Sequence, residues 1–130
     1  TAAGARASYR MGIVRRDAGA FEDAIAAFEQ ADVNDDVIAT LALGNIGDCQ
    51  VEMEDYDAAK SAFDKAISGA SSSLAEAVLA PMYLYKAALV EIELGNNAAA
   101  KSHLDRIVSN YPKSQQKNGA TALAASIASN

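Results

Sequence analysis

Two side chains of this sequence are of types that do chemistry singly, His103 and Cys49, and neither has the partners it would need. A cysteine nucleophile requires an adjacent base, which the chain does not offer. Cys49 lies beside Ile46 and Gly47 and reads as a small buried hydrophobe. His103 is the one histidine, with no Cys, Asp or Glu around it at metal-ligand spacing, and is expected on the exposed side of a helix. Asp32, Asn34 and Asp36 open like a calcium loop. However, Val37 holds the place of the required Gly and Leu43 that of the bidentate Glu. These acids are expected to close one hairpin and cap the next helix. Gly44 to Gly47 (GNIG) lacks the lysine and strand of a phosphate loop, so its glycines are assigned to helix packing. The pairs Glu22-Asp23 and Glu54-Asp55 are placed at turns and helix starts, where the helix dipole favours negative charge. No catalytic constellation, metal site or cofactor site emerges, and a non-enzyme is expected.

The elements that hold these residues are written in a repeat. "GAFEDAIAAFEQA" begins at Gly19, "EDYDAAKSAFDKA" at Glu54 and "GNNAAAKSHLDRI" at Gly95, spacings of 35 and 41 residues. A period in that range signals a repeat architecture. Phe21, Ala24, Ile25, Phe28 and Ala31 recur at three- and four-residue steps, the mark of a helix with one buried stripe. Gly19 before them fits a helix stop. An earlier helix is therefore expected, with Tyr9, Met11, Val14 and Ala18 as its apolar face. Each copy is thus a helical hairpin. Gly69 and the serines after it break periodicity, marking a longer connection before the third copy. Either a capping box, Ser73-x-x-Glu76, or Pro81 in a first turn would open the fifth helix. After Pro112 a terminal helix is expected through Ala122, Leu123 and Ile127.

Composition agrees. The chain has 130 residues, two prolines and no tryptophan, and its alanine content favours helix. One domain over 1–130 is expected. No run of 18 apolar residues and no signal-peptide h-region is present, and the first residue, Thr1, suggests a fragment or a processed chain. The single cysteine cannot form an internal disulfide, and no Asn-x-Ser/Thr acceptor occurs. The net charge of −6 divides into +4 over residues 1–16, −12 over 17–64 and +2 beyond. The acidic middle argues against nucleic acid, which demands a dominant basic face. Arg6, Arg10, Arg15 and Arg16 read as a solvated helix face rather than a surface for anionic partners.

The hairpins resemble tetratricopeptide repeats, 34-residue units with Trp-x-x-Leu-Gly-x-x-Tyr in the first helix, Ala-x-x-x-Phe in the second and Pro at the end. Met11-Gly12, Gly19-x-Phe21 and Ala24-x-x-x-Phe28-x-x-Ala31 carry the first copy. Ile46-Gly47, Tyr56, Ala59, Phe63 and Ala66 carry the second. Ala87-Ala88, Gly95, Ala100, Leu104, Ile107 and Pro112 carry the third. The sequence departs from the pattern where Arg15, Gln50 and Glu91 replace the first-helix Tyr, where Ser8, Leu43 and Leu84 replace the Trp, and where Asn97 replaces the turn aromatic. The expected fold is all-α: three stacked hairpins in a right-handed superhelix, repeats at about 5–36, 39–70 and 80–112, and a capping helix at about 114–128. Gly12, Gly47 and Ala88 should lie at helix crossings, with Phe28, Phe63 and Leu104 filling the space between hairpins.

The resemblance implies an interaction module whose first helices line a concave groove for a peptide or protein segment. The offset from the crossing residues places Tyr9, Ile13, Arg16 and Asp17, then Asn45, Asp48 and Glu52, then Met82, Tyr85, Lys86 and Leu89 on the groove. The rival reading of that face is plain solvated surface. Of the positions that clamp a C-terminal carboxylate in some relatives, only Asn45 and Lys86 hold suitable residues. A partner with apolar anchors and some basic charge is expected instead. "IGDCQVEMEDYDAA" and "APMYLYKAALVEIELGN" are also similar to bacterial proteins of this family, typical of the Bacteroidetes, that are tethered by an N-terminal membrane helix and are chaperone-like. That resemblance implies an anchor upstream of Thr1 and a domain on the outer side of the inner membrane, with the cytoplasm as the alternative location. Self-association and a regulatory part of a larger enzyme are the alternative functions.

Overall fold

The computed structural model describes residues 1–31, 35–71 and 75–127. They form α1 (Ala2–Asp17), α2 (Phe21–Glu29), α3 (Asp36–Glu52), α4 (Tyr56–Ala70), α5 (Glu76–Glu93), α6 (Asn97–Asn110) and α7 (Lys117–Ser126). The fold is all-α, with no strand among the described residues. Among the described residues no helix is long and apolar enough to cross a membrane. Contacts run mainly between consecutive helices, with a lighter one between α1 and α3. That is the quasi-one-dimensional pattern of stacked repeats.

Three residues connect the helices of each hairpin, and the three connections are one structure repeated. Gly19, Glu54 and Gly95 hold φ of +79°, +58° and +80°, a left-handed conformation that ends helices. In each, the left-handed N–H donates to the carbonyl three residues back, as from Glu54 to Val51 at 2.9 Å. The next N–H donates five back, from Ala20 to Arg15, Asp55 to Gln50 and Asn96 to Glu91, at 2.8 to 2.9 Å. This paired arrangement is the Schellman motif. The acids fall where sequence placed them: Glu22 and Asp23 in the first turn of α2, and Asp55 capping α4 through Ala58 N–H. Asp35 caps α3 by accepting from Val37 and Ile38 N–H at 3.0 and 3.1 Å. The remaining calcium-loop candidates, Asp32 and Asn34, and the capping-box Ser73 lie outside the described residues.

The first two hairpins each close on a glycine under an aromatic ring. A Cβ on Gly12 would lie 2.5 Å from Phe28, and one on Gly47 would lie 2.6 Å from Phe63. Both distances are shorter than any real carbon contact, so only glycine lets the helices cross there. In the third hairpin the filler is Leu104 and the crossing residue Ala88, both fully buried, a smaller side chain opposite a larger one. Gly44 serves the next interface: its Cβ would sit 2.1 Å from the Tyr83 ring of α5. Tyr83 itself stacks on Phe63 at 6.1 Å. Ile38, Ala42, Ile46 and Cys49 of α3 join one apolar cluster with Ala24 and Phe28 of α2 and Ala31 just after it. Leu79, Tyr83, Ala87 and Val90 of α5 join another with Ala59, Phe63 and Ala66 of α4. A single hairpin leaves such faces open, and stacking buries them.

Several expectations need correction. Met11 and Val14, placed on the apolar face of the first helix, are 47% and 64% exposed, because among the described residues no hairpin precedes α1. Of the two expected starts of α5, the capping-box Ser73 lies outside the described residues, and Pro81 lies buried inside a helix that runs from Glu76 rather than in its first turn. In α7 the fully buried residue is Ala120, while Ala122 faces outward beside the packed Leu123 and Ile127. His103 is half-buried rather than exposed. Of the polar departures at the first-helix Tyr position, Arg15 and Glu91 have partners, while the buried Gln50 Oε1 has no hydrogen-bond partner among the described residues. Arg15 donates to the Asp23 carbonyl at 3.3 Å. Glu91 is buried and held by Lys60 at 3.3 Å and the Asn96 amide at 2.9 Å.

Candidate functional site

The first helices α1, α3 and α5 converge beside the hairpin turns, where two adjoining clefts open. One, of about 530 Å³, is lined by Arg16, Asp17, Gly19, Phe21, Asp48, Val51, Glu52 and Lys86. The second, of about 330 Å³, is lined by Asp48, Val51, Tyr56, Phe63, Lys86, Leu89, Val90, Ile92 and Glu93. Asp48, Val51 and Lys86 border both. Lys86 Nζ donates to both Asp48 carboxylate oxygens, at 2.8 and 3.0 Å, and lies 6.0 Å from the Tyr83 ring centre. That ion pair therefore forms the divide between the clefts.

Polar bonds fix the α1 side. Arg16 donates to the Asn45 side-chain carbonyl and pairs with Asp17 at 3.0 Å. Asn45 donates to the Tyr9 hydroxyl at 3.2 Å and to the Leu41 carbonyl at 2.9 Å. Both cations lining the clefts are thus already matched, Arg16 with Asp17 and Lys86 with Asp48. Glu52 and Glu93 are exposed and enter no ion pair among the described residues. Against two cations stand four carboxylates, so the surface offers negative charge beside apolar side chains.

Of the residues singled out from sequence, Arg16, Asp17, Asp48, Glu52, Lys86 and Leu89 come together here. Asn45 is buried, with its amide spent on the brace. Tyr9 and Ile13 pack against the first apolar cluster, Tyr9 with its ring centre 5.6 Å from that of Phe28. Tyr85 meets α7, its ring edge 3.6 Å from where a Gly119 Cβ would be. Met82 belongs to a different hollow, with Val78, Tyr111 and Pro112. Phe21, Val51, Tyr56 and Glu93 were missed as lining residues. Phe21 and Tyr56 share one repeat position and read from sequence as turn aromatics, yet each also walls a cleft.

Among the described residues no group of three or more His, Cys, Asp or Glu could hold a metal ion. Cys49 is fully buried, and burial, with Asp48 and Glu52 adding, pushes its thiol up, away from the thiolate a nucleophile needs.

Comparisons with known proteins agree with this architecture. Residues 41–68 and 83–114 each match a model of the tetratricopeptide repeat. No curated protein matches the sequence. Among solved structures, the crystal structure of MamA is similar, with a TM-score of 0.71 and 22% identity, over 92% of this chain and 66% of that one. The chain thus spans just under two thirds of that protein's length, and at this identity the likeness is one of fold.

Proposed function

From the premise that this chain carries tetratricopeptide repeats, we propose that it is a non-catalytic scaffold that binds a protein or peptide segment in the clefts beside its hairpin turns. The segment carries apolar anchors next to a lysine or arginine. The observation that carries this reading is the meeting of exposed Leu89 and half-buried Val51 and Tyr56 with the unpaired carboxylates Glu52 and Glu93 across α3, α4 and α5. Apolar side chains supply the area and the acids orient a basic residue, the division of labour usual at interfaces. A carboxylate-binding role has less support, since Asn45 and Lys86 are both engaged within the fold. The repeat boundaries belong to the same proposal, with hairpins at about 5–36, 39–70 and 80–112.

Selection from a displayed random-peptide library supplies the test. Recovered peptides should share a basic residue beside aromatic or large aliphatic ones, and Leu89→Ala should weaken their binding by about 1–3 kcal/mol in calorimetry. Glu52→Lys should weaken them further, with circular dichroism unchanged because both side chains are exposed. Peptides that bind the Leu89→Ala, Glu52→Lys protein as tightly as the natural one would place the binding face elsewhere.

A further inference from the structure

The two clefts differ in chemistry. The larger sets three carboxylates, Asp17, Asp48 and Glu52, beside two cations and the half-buried Phe21 ring. Arg16 matches Asp17 and Lys86 matches Asp48, so Glu52 leaves one negative charge uncompensated there. The smaller is walled by six apolar side chains, Val51, Tyr56, Phe63, Leu89, Val90 and Ile92, of which Phe63 and Val90 are buried. Asp48 and Val51 of α3 line both clefts, so α3 runs between them. The Lys86 ammonium stands on that divide, held by Asp48 at 2.8 and 3.0 Å.

Resting on the reading of these clefts as a peptide site, we infer that they read one extended segment jointly and divide its side chains between them. The smaller cleft takes a large apolar side chain, and the larger takes a lysine or arginine one residue away. The Lys86–Asp48 pair bars a second cation from the position between. Spacing follows from the stack. Clefts on either side of one helix are separated by about a helix spacing, roughly 8–10 Å. Alternate side chains of an extended segment stand about 7 Å apart on one face, and the long stem of a lysine or arginine spans the remainder. Side chains three or four apart on a helix stand only about 5–6 Å apart, which suits the two clefts less well. The intervening residue passes over the Lys86 ammonium, where a like charge is repelled, a device that sets specificity rather than affinity. Glu93, the carboxylate of the smaller cleft that enters no ion pair among the described residues, is the rival seat for the cation. It stands among apolar walls, whereas Glu52 shares its cleft with two further carboxylates.

The probe is the capped peptide Ser-Phe-Ser-Arg-Ser, titrated into nitrogen-15-labelled protein. Amide signals of Val51, Glu52 and Leu89 should shift, with half-saturation in the millimolar range because a short segment must order as it binds. Double-mutant cycles then assign each side chain to its cleft. Replacing the probe's arginine by alanine should weaken binding about threefold or more to the natural protein, and not at all to Glu52→Gln. Replacing its phenylalanine by alanine should behave in the same way with Leu89→Ala, while the crossed combinations should be additive. The Lys86→Met protein, with circular dichroism unchanged, should bind Ser-Phe-Arg-Arg-Ser about threefold or more tighter than the natural protein does. Coupling of the arginine to Glu93→Gln instead of Glu52→Gln overturns the division, as does equal binding of the doubly basic peptide by the natural and Lys86→Met proteins. If library-selected peptides shift the cleft amides and this probe does not, the division and spacing fall while the peptide site stands. No shift in either cleft with any peptide removes both.

Discussion

Single positions show how close this fold runs to steric limits. Gly47 has no room for a methyl group under Phe63, while His103 sits half-buried on α6. Gly47→Leu should therefore cost about 1–3 kcal/mol as overpacking, more than His103→Leu at its half-buried position. Urea denaturation midpoints compare the two directly, and equal midpoints would contradict the crossing. Phe28 and Phe63, expected between hairpins, also lie against the glycines of their own hairpins; that Gly12 and Gly47 mark helix crossings was legible from the repeat. The partner of Gly44 was not. Tyr83 reaches it from the following hairpin, 39 residues on, and no local pattern connects them.

The hairpin turn is the element the sequence marks best, and one copy is imperfect. Glu54 occupies the left-handed position that Gly19 and Gly95 hold freely. A residue with a Cβ is strained there by roughly 1–2 kcal/mol, and glycine's greater unfolded-state freedom cancels part of the relief. Glu54→Gly should stabilise the protein by about 0.5–1 kcal/mol, raising the melting temperature by roughly 2–4 °C per kcal/mol. An unchanged or lowered melting temperature would mean that the Glu54 side chain contributes more than its conformation costs. The longer connection before α5 was less legible. Pro81 suggests a helix start, yet it is buried within α5 among Leu79, Ala80 and Leu84, where packing outweighs the lost hydrogen bond.

Over the whole molecule, stability passes from hairpin to hairpin through buried faces, and Tyr83 sits where the second meets the third. Burial, with Asp48 and Tyr9 adding, raises its phenol well above the ordinary value of 10.0. Folding therefore holds the proton more tightly than the unfolded chain does, so this contribution is intact below pH 10 and declines as pH rises beyond it. Denaturation followed from pH 9 to 11.5 should show falling stability, and Tyr83→Phe should flatten that decline. Tyr111, raised by burial and by its bond to Glu76, leaves a smaller residual slope. By itself the sequence determined the helical hairpins, the three turns and the repeat, because all rest on spacings of 41 residues or fewer that one chain displays. Tertiary structure alone decided which candidate residues share a site. A helix presents several faces, and only stacking showed that Tyr9 and Asn45 are spent on bracing, that Tyr85 meets α7, and that Lys86 and Asp48 stand together between two clefts.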